Sequence, residues 1–168
     1  MSAGLERLNG ASAESARAVL AEVCGAPGWA EAVAAGRPFG VPAELFGAAE
    51  AAWDDLAPAA WIAALEAHPR LGEDRRVAGG SASAWSRAEQ AGVGDDSRAS
   101  LARVQEEYER RFGWPFVACA TGRSGAELLA DCEARLAHEP DDELAVAAGE
   151  ERRIGRLRLG KLLEGGME

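Results

Sequence analysis

Pro58-Ala59-Ala60-Trp61-Ile62-Ala63-Ala64-Leu65-Glu66-Ala67-His68-Pro69 is the stretch that decides the fold. Proline is well placed in the first turn of a helix, so Pro58 is a start signal. The residue before a proline is pushed out of the α region, so the helix predicted here ends at His68 and is stopped by Pro69. Between the two prolines, Trp61, Leu65 and His68 recur at helical spacing and form one inward face. An apolar helix of this kind needs partners, and the flanking sequence supplies them in the same pattern.

Upstream, Ala16, Val19, Leu20 and Val23 form an amphipathic stripe closed by Gly25. A short helix is predicted around Trp29 and Val33. Pro42 opens the next, with Leu45, Phe46, Ala49, Trp53 and Leu56 on its stripe. Downstream, residues 72–84 with Gly79-Gly80-Ser81 form a loop, followed by a short helix over 85–91. Asp96 is a candidate N-cap for a longer helix carrying Leu101, Val104, Tyr108 and Phe112, with Gly113 as its C-cap. The segment Phe116–Ala120 is compatible with either extended or helical backbone. Ser124 and Glu127 form a capping box ahead of Leu128, Leu129, Cys132 and Leu136. Pro140 precedes the last helix, with Leu144, Ala147, Glu151, Ile154 and Arg158 on one face. No segment alternates as a strand does. The expectation is an all-α fold, an irregular bundle of about eight helices in a single domain spanning residues 1–168.

Composition is consistent with this. At 168 residues a folded chain hides roughly 70% of the surface its unfolded form exposes, enough for a real core. Apolar residues make up 48%, much of it alanine, a strong helix former. Eighteen Lys and Arg against 28 Asp and Glu give a formal net charge of -10, which argues against nucleic-acid binding and against docking on anionic membranes. Three cysteines, Cys24, Cys119 and Cys132, with no C-x-x-C pair argue against a disulfide framework or a thiolate metal site and fit a reducing cytoplasm. No signal peptide, no span of about 18 apolar residues and no peroxisomal address at the C-terminus is expected.

His68 is the first candidate for chemistry. Imidazole is the side chain best matched to proton transfer near neutral pH, and this one points inward at a helix end beside a loop, as the rim of a pocket would. A buried, hydrogen-bonded histidine or a helix C-cap would have the same pattern. Ser86, Glu89 and Gln90 place a hydroxyl, a carboxylate and an amide together, suited to a ring rich in N–H and C=O groups. The same Ser-x-x-Glu spacing is also an ordinary capping box. Arg158 interrupts an apolar face between Ile154 and Leu162, so it needs either a structural carboxylate, such as Glu89 or Glu151, or an anionic ligand. Tyr108 and Trp61 are most simply core, and His138 a cap or a solvated side chain. With two histidines, no H-E-x-x-H, no P-loop, no G-x-G-x-x-G and no G-x-S-x-G, neither a metal, a nucleotide cofactor nor a serine nucleophile is expected.

Taken in order, Leu8-Asn9, Arg37-Pro38-Phe39, His68-Pro69-Arg70-Leu71-Gly72, Ser86-x-x-Glu89-Gln90, Tyr108-x-x-Arg111-Phe112-Gly113-Trp114-Pro115-Phe116, Arg135-Leu136 and Ile154-x-x-x-Arg158-Leu159 resemble the OHCU decarboxylase family of urate breakdown. The resemblance implies an all-α, cofactor-free, usually dimeric enzyme that converts 2-oxo-4-hydroxy-4-carboxy-5-ureidoimidazoline into (S)-allantoin and carbon dioxide. It places the family's catalytic histidine on His68 and its active-site arginine on Arg158. Its substrate-holding serine, glutamate and glutamine fall on Ser86, Glu89 and Gln90, with Glu89 also counted in the catalytic set. Pro69 and the backbone of Phe116, Val117, Ala118, Cys119 and Ala120 fall where the family contacts substrate. Two departures concern loop shape: Gln105 stands where an asparagine is expected, and Arg75–Ser83 is individual. A module that binds a ureide or a partner without turning it over, and a structural scaffold with a large apolar patch, are the competing readings.

Overall fold

The structure is a computed structural model that describes residues 2–72 and 95–165. Helices and no strand occur among the described residues, as the sequence predicts, and the eight helices include one, α1, that the sequence reading did not place: α1 (Ala3–Gly10), α2 (Ala13–Val23), α3 (Trp29–Ala35), α4 (Pro42–Asp54), α5 (Pro58–Glu66), α6 (Asp95–Phe112), α7 (Gly125–Arg135) and α8 (Pro140–Glu164). The predicted loop over 72–84 and short helix over 85–91 lie, but for Gly72, outside the described residues. The helices group into two compact units, Met1–Ala64 with Arg152–Glu168, and Leu65–Glu151.

In the first unit α3 packs against both α2 and α4. Ala16, Leu20 and Val23 of α2, Trp29 and Val33 of α3, and Leu45, Ala49 and Trp53 of α4 are buried, so each stripe faces inward. The Leu8-Asn9 and Arg37-Pro38-Phe39 motifs prove to be backbone clamps. Asn9 Nδ2 donates to the Phe39 carbonyl at 2.8 Å and its Oδ1 accepts from the Phe39 N–H at 2.9 Å. The Arg37 guanidinium donates to the carbonyls of Leu8 (2.6 Å) and Ala11 (2.8 Å), which the end of α1 leaves without helical partners. On the outside, Arg152 and Arg156 pair with Glu50 and Asp54 of α4, exposed contacts of small energetic weight.

Gly4 marks where α1 meets the C-terminal part of α8. A Cβ there would lie 2.5 Å from the Leu163 carbonyl oxygen and 2.6 Å from the Leu163 Cα, both backbone atoms that cannot swing aside. Gly4→Ala is therefore expected to destabilise the chain by roughly 1–3 kcal/mol. Thermal unfolding followed by circular dichroism checks this; a Tm equal to wild type would refute the close approach.

In the second unit α6 packs against α7. Gly113 closes α6 as predicted: its φ of 86° is open to glycine, and its N–H reaches the Glu109 carbonyl at 2.8 Å. The capping box at α7 is complete, with the Glu127 N–H on Ser124 Oγ (3.2 Å) and the Ser124 N–H on Glu127 Oε2 (2.7 Å). The Ser124 backbone N–H, and then its hydroxyl, hold the Glu127 carboxyl below the usual carboxylate range. None of the three cysteines is in a disulfide. Burial pushes the Cys132 thiol up to about 12, which makes it a packed hydrophobe and not a nucleophile. No helix among the described residues is long and apolar enough to cross a membrane.

Candidate active site

His68 lies two residues beyond the end of α5, so the helix stops earlier than Pro69 alone implies. Pro69 explains the difference. It has no N–H to give to the Leu65 carbonyl, and that carbonyl instead accepts from the His68 N–H at 3.1 Å in a tightened turn. The chain beyond is held by α6. Gln105 Oε1 accepts from the Leu71 N–H and its Nε2 donates to the Leu71 carbonyl, both at 2.9 Å. Arg70 forks onto Glu109 with two bonds of 2.7 Å. Gln105, the departure noted in the sequence, thus fixes the very segment whose shape it put in question.

The imidazole, 12% exposed, meets Glu151 of α8: Nε2 lies 2.5 Å from Oε2. Glu151 is 1% exposed, and neither of its oxygens has a hydrogen bond of normal geometry from a described residue. The contact is close but the ring N–H is not aligned with it. The histidine is therefore neither a plain core residue nor a C-cap; it sits against a buried carboxylate whose hydrogen-bonding capacity is unused. The sequence placed Glu151 on the inner face and offered it, beside Glu89 or an anionic ligand, as one possible partner of Arg158.

The segment Phe116–Ala120 settles as irregular backbone, neither extended strand nor helix. Two side chains hold it through three contacts. The Arg135 Nη1 donates to the Val117 carbonyl at 2.9 Å, the Arg135 guanidinium lies 4.5 Å over the Phe116 ring, and Glu150 accepts the Cys119 N–H at 2.7 Å. The Cys119 N–H, in a stretch whose backbone the family resemblance places at the substrate, is thus given to Glu150. Neighbouring residues of one turn of α8 thus hold the two predicted site segments of this unit, Glu150 the loop and Glu151 the histidine.

Behind the loop lies a buried polar cluster that sequence reasoning missed. Glu143, 0% exposed, accepts from Tyr108 Oη and from Arg135 Nε (2.8 Å) and Nη2 (2.6 Å) on one oxygen, and contacts His138 Nδ1 at 2.8 Å with the other. Trp114 Nε1 donates to Tyr108 Oη at 3.2 Å. Burial and then the bond to Glu143 push the Tyr108 phenol well above its ordinary value. Burial pulls Arg135 down, but Glu143, Tyr108 and Asp131 together hold it above its usual range, so it stays charged. Glu143 was legible only as an acidic residue in a helix's first turn. His138, read as a cap or a solvated residue, is 40% exposed yet tied to this cluster.

Arg158 belongs to the first unit. It is 4% exposed, and its Nη1 donates to the Val23 carbonyl at 3.3 Å, at the C-terminal end of α2. Its inward direction is as predicted, and a backbone carbonyl of α2 takes one of its donors. Ser86, Glu89 and Gln90 lie outside the described residues. Among the described residues no group of three histidine, cysteine, aspartate or glutamate side chains is arranged to hold a metal ion.

A profile of the OHCU decarboxylase family matches residues 9–160. The chain belongs to the OHCU decarboxylase family. The matched stretch includes His68, Pro69, Ser86, Glu89, Gln90, Phe116–Ala120 and Arg158. The chain is 30% identical over 135 residues to the 2-oxo-4-hydroxy-4-carboxy-5-ureidoimidazoline decarboxylase of Haloferax volcanii, covering 80% of each chain. It is 33% identical over 140 residues to the enzyme of the same name from Amia calva, covering 80% of this chain and 79% of that one. It also matches the crystal structure of an OHCU decarboxylase in the presence of (S)-allantoin, with a TM-score of 0.76 and 26% identity over 92% of this chain and 99% of that one. The all-helical fold of the OHCU decarboxylases is thus the fold of this chain.

Proposed function

We propose that the protein decarboxylates 2-oxo-4-hydroxy-4-carboxy-5-ureidoimidazoline to (S)-allantoin and carbon dioxide in urate breakdown, as one functional domain. Membership of the OHCU decarboxylase family supports the reaction. The observation that carries the site is the turn of α8 on which Glu151 meets His68 while Glu150 holds the Cys119 N–H. It joins two segments that the family resemblance assigns to the substrate site.

The chemistry needs little machinery. Loss of carbon dioxide leaves an electron pair, and the ring C=N next to the carboxylate-bearing carbon accepts it. The ring is its own electron sink, so neither pyridoxal phosphate nor a metal is required. The first product is enol-like, and protonation on one face sets the S configuration. His68 bonds the 4-hydroxyl or the carboxylate and manages the proton. Ser86, Glu89 and Gln90 grip ring and ureido N–H and C=O groups and fix the face that is protonated. Pro69 and the backbone of Phe116, Val117, Ala118, Cys119 and Ala120 shape the wall. Arg158 aids catalysis if it favours charge spreading into the ring; clamping the scissile carboxylate alone would stabilise the ground state. The reading extends to a homodimer working in the cytoplasm, which the family resemblance and the three cysteines outside any disulfide support.

The test is chiral. The unstable substrate is made in situ from urate and its decay followed by circular dichroism with and without the protein. Acceleration to (S)-allantoin supports the proposal. A slow, racemic product at the uncatalysed rate would leave a ureide-binding module in its place.

A further inference from the structure

We infer that Glu151 is a positioning residue for His68: its carboxylate keeps a proton on Nε2 and leaves Nδ1 as the nitrogen that exchanges protons with substrate. The inference rests on the catalytic role proposed for His68 and adds a second residue to it.

Two glutamates on the inner face of α8 can be compared directly. Glu143 is what a structural buried carboxylate looks like in this protein. Both its oxygens are engaged, and a buried guanidinium and a phenol satisfy it. Glu151, eight residues further along the same helix and equally enclosed at 1% exposure, has no such set. Its one close polar neighbour among the described residues is the His68 ring, at 2.5 Å, and both its oxygens lack a hydrogen bond of normal geometry. Burying a carboxylate is costly, and a side chain evolved only for stability would be paired as Glu143 is, or apolar. Glu151 is kept where it touches one thing, the proposed proton carrier.

The contact determines what the imidazole can do. A neutral imidazole carries its proton on one nitrogen, and which one is set by the bond the other makes. A carboxylate accepts and does not donate, so beside Nε2 it selects the Nε2–H form. The terminal torsion of histidine is soft, so the ring N–H aligns with Oε2 at small cost. Nδ1, which has no hydrogen-bond partner among the described residues, is left with its lone pair.

Protons and electrons then balance simply. The bond to the carboxylate breaks, its pair passes into the ring C=N, carbon dioxide leaves, and the ring nitrogen takes one proton from solvent. Nδ1 takes the proton of the enol-like hydroxyl, which becomes a carbonyl, and returns it to carbon as the new C–H bond. His68 ends as it began, and its Nε2–H stays on Glu151 throughout.

The experiment pairs kinetics with nitrogen-15 magnetic resonance of the full chain labelled at histidine, recorded where the imidazole is neutral. In the wild type, His68 is expected as the Nε2–H form. Glu151→Gln offers an N–H as well as an oxygen to Nε2, so that preference should collapse. Its kcat should fall by roughly 10²- to 10⁴-fold with little change in KM, the upper end being the loss when the carboxylate that orients a catalytic histidine is neutralised. Glu151→Leu should also lose kcat. Both variants should stay folded, since Glu151→Gln keeps an acceptor for the Nε2–H and Glu151→Leu removes a buried carboxylate that a single N–H satisfies.

Wild-type kcat in either folded variant, a wild-type proton on Nδ1, or a lost kcat with the Nε2–H form intact would each overturn the assignment. If neither variant folds, the wild-type resonance still decides. If the wild type does not accelerate the reaction at all, the proposed function fails, while the resonance still reports whether Glu151 sets the histidine's proton.

Discussion

His68→Ala is expected to keep the helical fold and to lose roughly 10²- to 10⁴-fold in the rate of (S)-allantoin formation, the usual worth of a positioned proton carrier. The fold survives because the imidazole makes one carboxylate contact, while the turn it sits in is held by its backbone N–H. At 12% exposure its place can be filled by water, which also hydrates Glu151. His68→Gln separates the two parts of the role. An amide still offers Glu151 an N–H but cannot carry a proton, so this variant should be as slow as alanine and at least as stable. Far-ultraviolet circular dichroism reports the fold, and the stereospecific assay reports the rate. Conversion at the wild-type rate by either folded variant would remove His68 from the chemistry.

The second large effect falls on stability. Arg135→Met takes away both donors to Glu143, the donor to the Val117 carbonyl and the cation stacked on Phe116. What remains is a fully enclosed carboxylate facing a phenol and a half-exposed imidazole. Breaking a buried pair from one side typically costs about 3–5 kcal/mol. For a chain of this length that is a Tm lower by on the order of 10 °C. The double variant Arg135→Met/Glu143→Leu should recover much of the loss, because replacing both charges with apolar groups removes the cost of their burial. Calorimetry of the three proteins checks this. A single variant within a degree or two of wild type would mean that the cluster holds nothing. Since Arg135 also fixes the loop through Val117, the destabilised variant should have raised KM at temperatures where it is still folded.

Local signals in the sequence located the helices well, for identifiable reasons. Pro42, Pro58, Ser124 with Glu127, and Gly113 each act within one turn of chain, so their spacing is enough to place a boundary. The error at the end of α5 arose because Pro69 acts backwards as well, depriving the Leu65 carbonyl of its regular donor. Inward direction was legible for Leu65, Tyr108 and Arg158 from periodicity alone. Partnerships were not. Tyr108 and Glu143 are 35 residues apart, and Gln105 and Leu71 are 34, so no local pattern links them. Glu151 was visible as a carboxylate on an apolar face, but the choice between Arg158 and His68 as its neighbour needs three-dimensional packing. Asn9 and Arg37 entered as family words and proved to be ties on backbone carbonyls and amides, which only the folded chain reveals.

The chain has a single tyrosine, and it is the one enclosed by Glu143, Arg135 and Trp114. Its phenol is held above its ordinary value, so the folded chain keeps that proton through the range near pH 10 where an exposed tyrosine gives it up. Unfolding releases the restraint. The stability that the protonated phenol contributes is whole below that range and is lost as the pH climbs through it, because the unfolded chain is then the better proton donor. Alkaline solution thus makes Tyr108 a native chromophore for opening of the core: the red-shifted absorbance of tyrosinate, silent in the closed protein, appears molecule by molecule as the cluster around it comes apart.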